Sequence, residues 1–229
     1  MHLKWSDGNT KLKKLLTIGF DIPAYRSQNG FTVCIGASAC ISVCYAQQGF
    51  YVMPAAKAAR EHNLAASFRD DFVDKACEDL TKIRQKIVRF HSSGDFYSQE
   101  YLDKVYEIAR RNPEKKFYAY TKSISLSLWE HKPKNFTIIQ SEGGKLDAEI
   151  DTRKPHARIF TSHYARRKAK YKNGSNTDLL AIRGSRTIGL IHHGTKKLTP
   201  PQRKYFSQTA SLRSKFIRAR GNTETVNAS

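Results

Sequence analysis

Acidic residues are scarce in this 229-residue chain: 20 Asp and Glu stand against 40 Lys and Arg, for a formal charge of +20. That balance is unusual for a small-molecule enzyme. The shortage is sharpest from residue 151 onward, where 18 Lys and Arg face only Asp151, Asp178 and Glu224. Lys and Arg that neutralise phosphates release condensed counterions, so a nucleic acid is the expected partner; the plainer alternative is a basic surface that serves solubility. Long apolar runs are lacking too. No stretch approaches the roughly 18 residues of a membrane span, and Met1-His-Leu-Lys-Trp-Ser-Asp-Gly lacks the charged-then-apolar order of a signal peptide. The expectation is a cytoplasmic protein without a membrane partner. Cysteine is sparse, four in all, and in a reducing compartment clustered cysteines serve as ligands or redox groups rather than as a disulfide framework.

Three of those four fall in one loop, Cys34-Ile-Gly-Ala-Ser-Ala-Cys40-Ile-Ser-Val-Cys44-Tyr-Ala. Thiolates are soft ligands suited to zinc, copper(I) or an iron–sulfur cluster, and Gly36, Ala37, Ser38 and Ala39 let backbone wrap closely around what is bound. The number three matters. A [4Fe–4S] cluster held by three cysteines keeps one iron open to a small molecule, whereas structural zinc closes with four protein ligands.

Along the chain, residues 1–33 read as an extended lead-in, with Phe31-Thr-Val33 as a strand delivering the cysteine loop. Residues 54–86 carry helical spacing, from Pro54 at the first turn through Phe68, Phe72, Val73, Ala76 and Leu80. Cys77 lies beside that stripe and reads as a buried small hydrophobe before it reads as a ligand. A strand over 86–91 leads into Ser92-Ser-Gly-Asp-Phe-Tyr-Ser98, and Ser98 caps a helix ending near Asn112-Pro113. Strands over 117–121 and 136–140 flank a short helix around Leu126–Trp129. Strands separated by helices of this length predict parallel βαβ units whose ligands gather at the strands' carboxyl ends. The expected fold is α/β, a partial (β/α) barrel or an open parallel sheet. Residues 1–150 form the cysteine-loop core. Residues 151–229 either complete the sheet or form a small basic appendage, with a partly disordered tail.

The cysteine loop and the Ser93-Gly94-Asp95 turn after the next strand resemble the radical S-adenosylmethionine architecture. The resemblance implies that Cys34, Cys40 and Cys44 hold a [4Fe–4S] cluster and that Ser93, Gly94 and Asp95 bind the methionyl group of S-adenosylmethionine. The superfamily's usual spacing is C-x3-C-x2-C, where this chain has C-x5-C-x3-C. A closer resemblance runs from about Asn9 to His193. Cys40-x3-Cys44-Tyr-Ala, Arg89-Phe-His-Ser-Ser-Gly-Asp-Phe-Tyr-Ser98, Phe117-Tyr-Ala-Tyr-Thr-Lys122 and Ile188-Gly-Leu-Ile-His-His-Gly194 resemble the bacteriophage gene product 88 family, which supplies an origin more than a mechanism.

The basic run Arg166-Arg167-Lys168-Ala-Lys170-Tyr171-Lys172, with Lys196 and Lys197, is the candidate nucleic-acid surface, and Tyr171 is the residue able to stack on a base. The first reading is a phage iron–sulfur protein acting on or bound to nucleic acid, its catalytic residues unassigned. The second is a non-catalytic protein that binds nucleic acid or modulates a host protein. There a cluster or zinc is structural, with Cys77, His62 or His91 as fourth ligand. His192 and His193, adjacent on a strand, point to opposite faces and do not form a metal pair.

Overall fold

A computed structural model describes residues 2–192, 199–203 and 206. Eight strands form one sheet: β1 (Trp5–Ser6), β2 (Thr17–Phe20), β3 (Ile87–Phe90), β4 (Lys116–Thr121), β5 (Phe136–Ser141), β6 (His156–Phe160), β7 (Lys172–Asn173) and β8 (Thr187–Ile191). Their spatial order is β1-β2-β3-β4-β5-β6-β8-β7. Only the β1–β2 ladder is antiparallel; the others are parallel. Because β2 through β6 follow one another in space as they do in sequence, right-handed crossovers all advance in one direction and keep their helices on one face.

Side-chain alternation then separates two environments. Val88, Phe90, Phe117, Ala119, Phe136 and Ile138 pack against Phe72 and Leu80 of α3 (Phe72–Lys82) and Tyr101, Leu102, Val105 and Ile108 of α4 (Gln99–Arg111). Each fully buried side chain of this size contributes roughly 1.5–3 kcal/mol. The intervening residues of the strands face the other way. At the lower end of that face Tyr118, Ile139, Ala157 and Ile188 are covered by Ala181 of α6 (Leu179–Ile182).

Among the described residues no ladder joins the two ends of the sheet, so it is open. A side chain spans the gap. Lys11, on α1 (Thr10–Lys14) just ahead of β2, donates to the Gly174 carbonyl beyond β7 at 2.9 Å and pairs with Asp178 at 2.6 Å. The sheet therefore curls far enough to bring its first and last parallel strands to either side of one lysine.

Several expectations need correction. The strand that precedes the cysteine loop is Thr17–Phe20, while Phe31-Thr-Val33 contributes only an isolated bridge between Arg26 and Thr32. The 54–86 helix is two helices, α2 (Pro54–Ser67) and α3, because the chain turns at Arg69, whose guanidinium holds the Asp71 carboxylate at 2.7 Å. Leu126–Trp129 forms turns instead of a helix, with the Leu126 N–H bonded to the Ser123 carbonyl and Leu128 to Leu126. After residue 150, β6, β8 and β7 continue the same sheet, and the apolar run 179–182 is the helix α6. The basic tail expected to be disordered lies outside the described residues.

Candidate functional site

The cysteine loop lies across the carboxyl ends of the strands and is fastened there by backbone. Cys40 N–H donates to Gly143 O at 3.0 Å, Lys145 N–H donates to Gly36 O at 2.9 Å, and Ala37 bridges Gly144. Asp147 shapes the receiving turn by accepting from Gly143 N–H at 2.7 Å and Gly144 N–H at 2.8 Å. Gly36 is dictated by contact: a Cβ there would stand 1.8 Å from the Lys122 carbonyl oxygen. The loop is thus seated on the turns that follow β4 and β5.

The Ser93-Gly94-Asp95 turn is equally tied down. Asp95 Oδ1 accepts from Thr121 Oγ1 at 2.6 Å and Phe96 N–H at 2.8 Å, and Oδ2 accepts from Lys122 N–H at 2.8 Å. A carboxylate has about four acceptor positions, so one remains on Oδ2. Ser93 N–H donates to Asp21, and its hydroxyl takes a hydrogen bond from Arg60 at 3.3 Å. Gly94 has φ +91°, and a Cβ there would meet Ile22 Cγ1 at 2.3 Å, so packing alone requires glycine. Ser98 caps α4 through its hydroxyl, which accepts from Tyr101 N–H at 3.2 Å.

Cys34, Cys40 and Cys44 all line one cavity of about 490 Å³, together with Asp95, Lys122, Ser141, Arg89, His91, Tyr120 and His192. That volume sits in the roughly 300–1,000 Å³ range of small-molecule sites. The three thiols are free and half-buried. Burial pushes the Cys34 thiol far above its ordinary value and Asp95 adds to the shift; burial also raises Cys44, against the pull of the Lys122 ammonium. Burial lowers His91 to about 3, with the Arg89 charge adding to it, so the imidazole is neutral at pH 7. Its Nε2 lies 3.0 Å from Tyr101 OH.

Of the expected fourth ligands, His91 lines the cavity with its Nδ1 unpartnered, while the other two are engaged elsewhere. Cys77 packs on the helix side and accepts from Asn112 Nδ2 at 3.3 Å, and His62 bonds the His2 carbonyl at 3.0 Å. Among the described residues, no three or more His, Cys, Asp or Glu side chains gather closely enough for a single metal ion. The cysteine set alone does not supply the four converging donors of structural zinc.

Below the thiols lies a feature the sequence reading did not single out. Arg89 of β3, its side chain 11% exposed, pairs with Asp178 at 3.0 Å and lies over the rings of Tyr118 and Tyr120 at 5.9 and 5.4 Å. Tyr118 OH also donates to Asp178 at 2.8 Å. The only sequence signal was position: Arg89, Tyr118 and Tyr120 occupy the non-core phase of their strands, where a polar residue between apolar neighbours faces the interior of the curl.

Of the basic candidates, Arg167, Lys168, Lys170 and Lys172 are exposed and, among the described residues, make no ion pair. Arg166 is half-buried and donates to the Tyr171 carbonyl at 2.5 Å. Tyr171 is not available for stacking: it is 5% exposed, packed between His156 and Phe160, with its hydroxyl on Glu142. Tyr164, 69% exposed on α5 (His163–Lys168), is the aromatic on that surface. Lys196, Lys197 and His193 lie outside the described residues. Among the described residues no helix is long and apolar enough to cross a membrane.

No significant match to a curated protein or to a solved structure was found, so the likeness to S-adenosylmethionine enzymes gains no support from comparison. A family model described as gene product 88 does match, over residues 3–218. That span takes in the cysteine loop, the Ser-Gly-Asp turn, the cavity and the basic surface together, and the chain belongs to the gene product 88 family.

Proposed function

We propose that this phage-family protein holds a [4Fe–4S] cluster on Cys34, Cys40 and Cys44, with one iron open to the cavity, and works in the host cytoplasm on nucleic acid gripped by its basic surface. The observation that carries the reading is the meeting of three free thiols, without a fourth cysteine, at the mouth of a cavity on the carboxyl ends of a parallel sheet. Ligands of open parallel sheets gather at that edge. The three thiols line one cavity, and a [4Fe–4S] cluster is the group that three cysteines hold with one iron left open. Lys122, whose ammonium already favours the Cys44 thiolate, offsets part of the negative charge that three thiolates bring.

A bound cluster supplies an open coordination position and an electron at the cavity mouth. S-adenosylmethionine is the small molecule the radical enzyme likeness names, and the free acceptor position on Asp95 Oδ2 suits its ammonium group. Arg167, Lys168, Lys170, Lys172 and Tyr164 supply charge and a stacking ring for a nucleic acid.

The test is iron and acid-labile sulfide content of protein purified without oxygen. About four of each per chain are expected for a single [4Fe–4S] cluster, falling sharply in Cys34→Ala, Cys40→Ala and Cys44→Ala but not in Cys77→Ala. Iron that survives Cys34→Ala, or one zinc without sulfide, rejects the cluster. Nucleic-acid affinity should fall steeply with salt; a flat dependence rejects the basic surface as the grip.

A further inference from the structure

We infer that the lower part of the cavity is a subsite for an oxyanion, the carboxylate or phosphate group of a substrate whose body is apolar or aromatic. This names a substrate class for the proposed function and rests on it only for which end of the molecule reacts.

Arg89 is held from several sides, by Asp178 on Nη1, by Tyr45 OH at 3.5 Å on Nη2 and by two tyrosine rings, yet its Nε–H has no acceptor. Three more buried groups on the same cavity, Tyr120 OH, Ser92 Oγ and His91 Nδ1, also have no partner. Native proteins rarely leave such groups unsatisfied, and four around one cavity indicate that the partner arrives with a ligand. Charge selects its sign. Lining this end stand Arg89 and Lys11 against Asp178, two positive groups facing one negative. Carboxylate and phosphate oxygens accept from a guanidinium N–H and from hydroxyls at once, which a cation or a neutral hydrocarbon cannot do.

The walls nearby fit the rest of such a molecule. Ala24, Val43, Ala46, Ile159 and Leu190 line the cavity without polar side chains. The anionic end is therefore seated against Arg89, Tyr120 and Ser92, the body lies along the apolar wall, and the far end comes up beneath the thiols.

The experiment is calorimetric titration of inorganic phosphate and, separately, acetate into the full-length chain at fixed ionic strength, comparing wild type with Tyr120→Phe, Ser92→Ala and the surface double variant Arg167→Ala/Lys168→Ala. Both cavity variants delete groups that bond nothing in the protein, so their folds stay intact, which circular dichroism checks. One saturable site per chain is expected, weakened about fivefold by each cavity variant, the ratio for loss of one ordinary hydrogen bond, and unchanged in the surface variant. Saturation by phosphate alone identifies a phosphorylated substrate, and saturation by acetate identifies a carboxylate. No saturable binding of either ion, or binding that both cavity variants leave intact, overturns the inference. Iron is assayed on the same samples, so a failed cluster assignment shows as missing iron while anion binding persists.

Discussion

The two faces of the sheet are built to different standards. On the helix side the buried polar groups find partners: Ser67 on the Leu64 carbonyl, Tyr106 on Leu128, Asn112 on Ile108, Lys115 on Ile83 and Gln85, and Ser123 on Phe96. The remaining volume is aromatic, with Phe90 against Trp5, Phe20, Phe117 and Phe136 at ring separations of 5.5 to 6.5 Å. On the cavity side one N–H of a buried guanidinium, an imidazole nitrogen of His91 and two hydroxyls stand without partners. Selection for stability alone removes such groups, since a buried unsatisfied donor costs about 1–3 kcal/mol. Their concentration on one face marks where the fold trades stability for binding.

The sharpest contrast comes from the core. Phe90→Ala should cost about 3–5 kcal/mol in chemical denaturation, the usual loss for a buried phenylalanine. A loss below 1 kcal/mol contradicts the view that this face carries the stability.

Next in size is a pH effect at the boundary between the faces. His91 has its folded pKa depressed to about 3 from an ordinary 6.5, so between these values the unfolded chain binds more protons than the folded one. Stability is complete above pH 6.5 and drains away as the pH falls. Relative to His91→Asn, whose side chain tolerates the left-handed backbone at φ +65°, wild type should lose about 2 kcal/mol between pH 7.5 and pH 5. Parallel stability curves for the two proteins would show that the imidazole titrates normally.

The smallest effect is also the most discriminating, because it applies one chemical change to both faces. Tyr106→Phe removes a hydroxyl bonded to the Leu128 carbonyl at 2.6 Å and should cost about 1–2 kcal/mol. Tyr120→Phe removes a hydroxyl bonded to nothing in the protein and should raise stability by about 1 kcal/mol, the lower end of the cost of a buried unsatisfied donor. Equal losses in the two variants erase the distinction.

The middle of the chain was legible because local signals agree there. Apolar residues bounded by turns gave β3, β4 and β5, and Ser98 before a strong helical stripe gave α4. β2 was hidden since Thr17-Ile-Gly-Phe20 is buried on every residue and shows no alternation, directly after an apolar and basic helix. The break between α2 and α3 carries no Gly or Pro; a local Arg69–Asp71 pair makes it. In the candidate site, the cysteine loop was legible from spacing. Arg89, Tyr118 and Asp178 meet only through strand register and a helix 89 residues further on, a relation no local pattern encodes. The misplaced stacking residue has the same origin: Tyr171 and Tyr164 flank one basic run, and only the packing against Phe160 decides which is buried.

Lys11 gives the curled sheet the character of a split ring. Parting any two neighbouring parallel strands means breaking a row of backbone hydrogen bonds, but between β2 and the far end of the sheet the fastening described above is one ammonium group. Among the described residues the cavity wall is thus closed lengthwise, beside Asp178, by a side chain where a backbone ladder closes the rest.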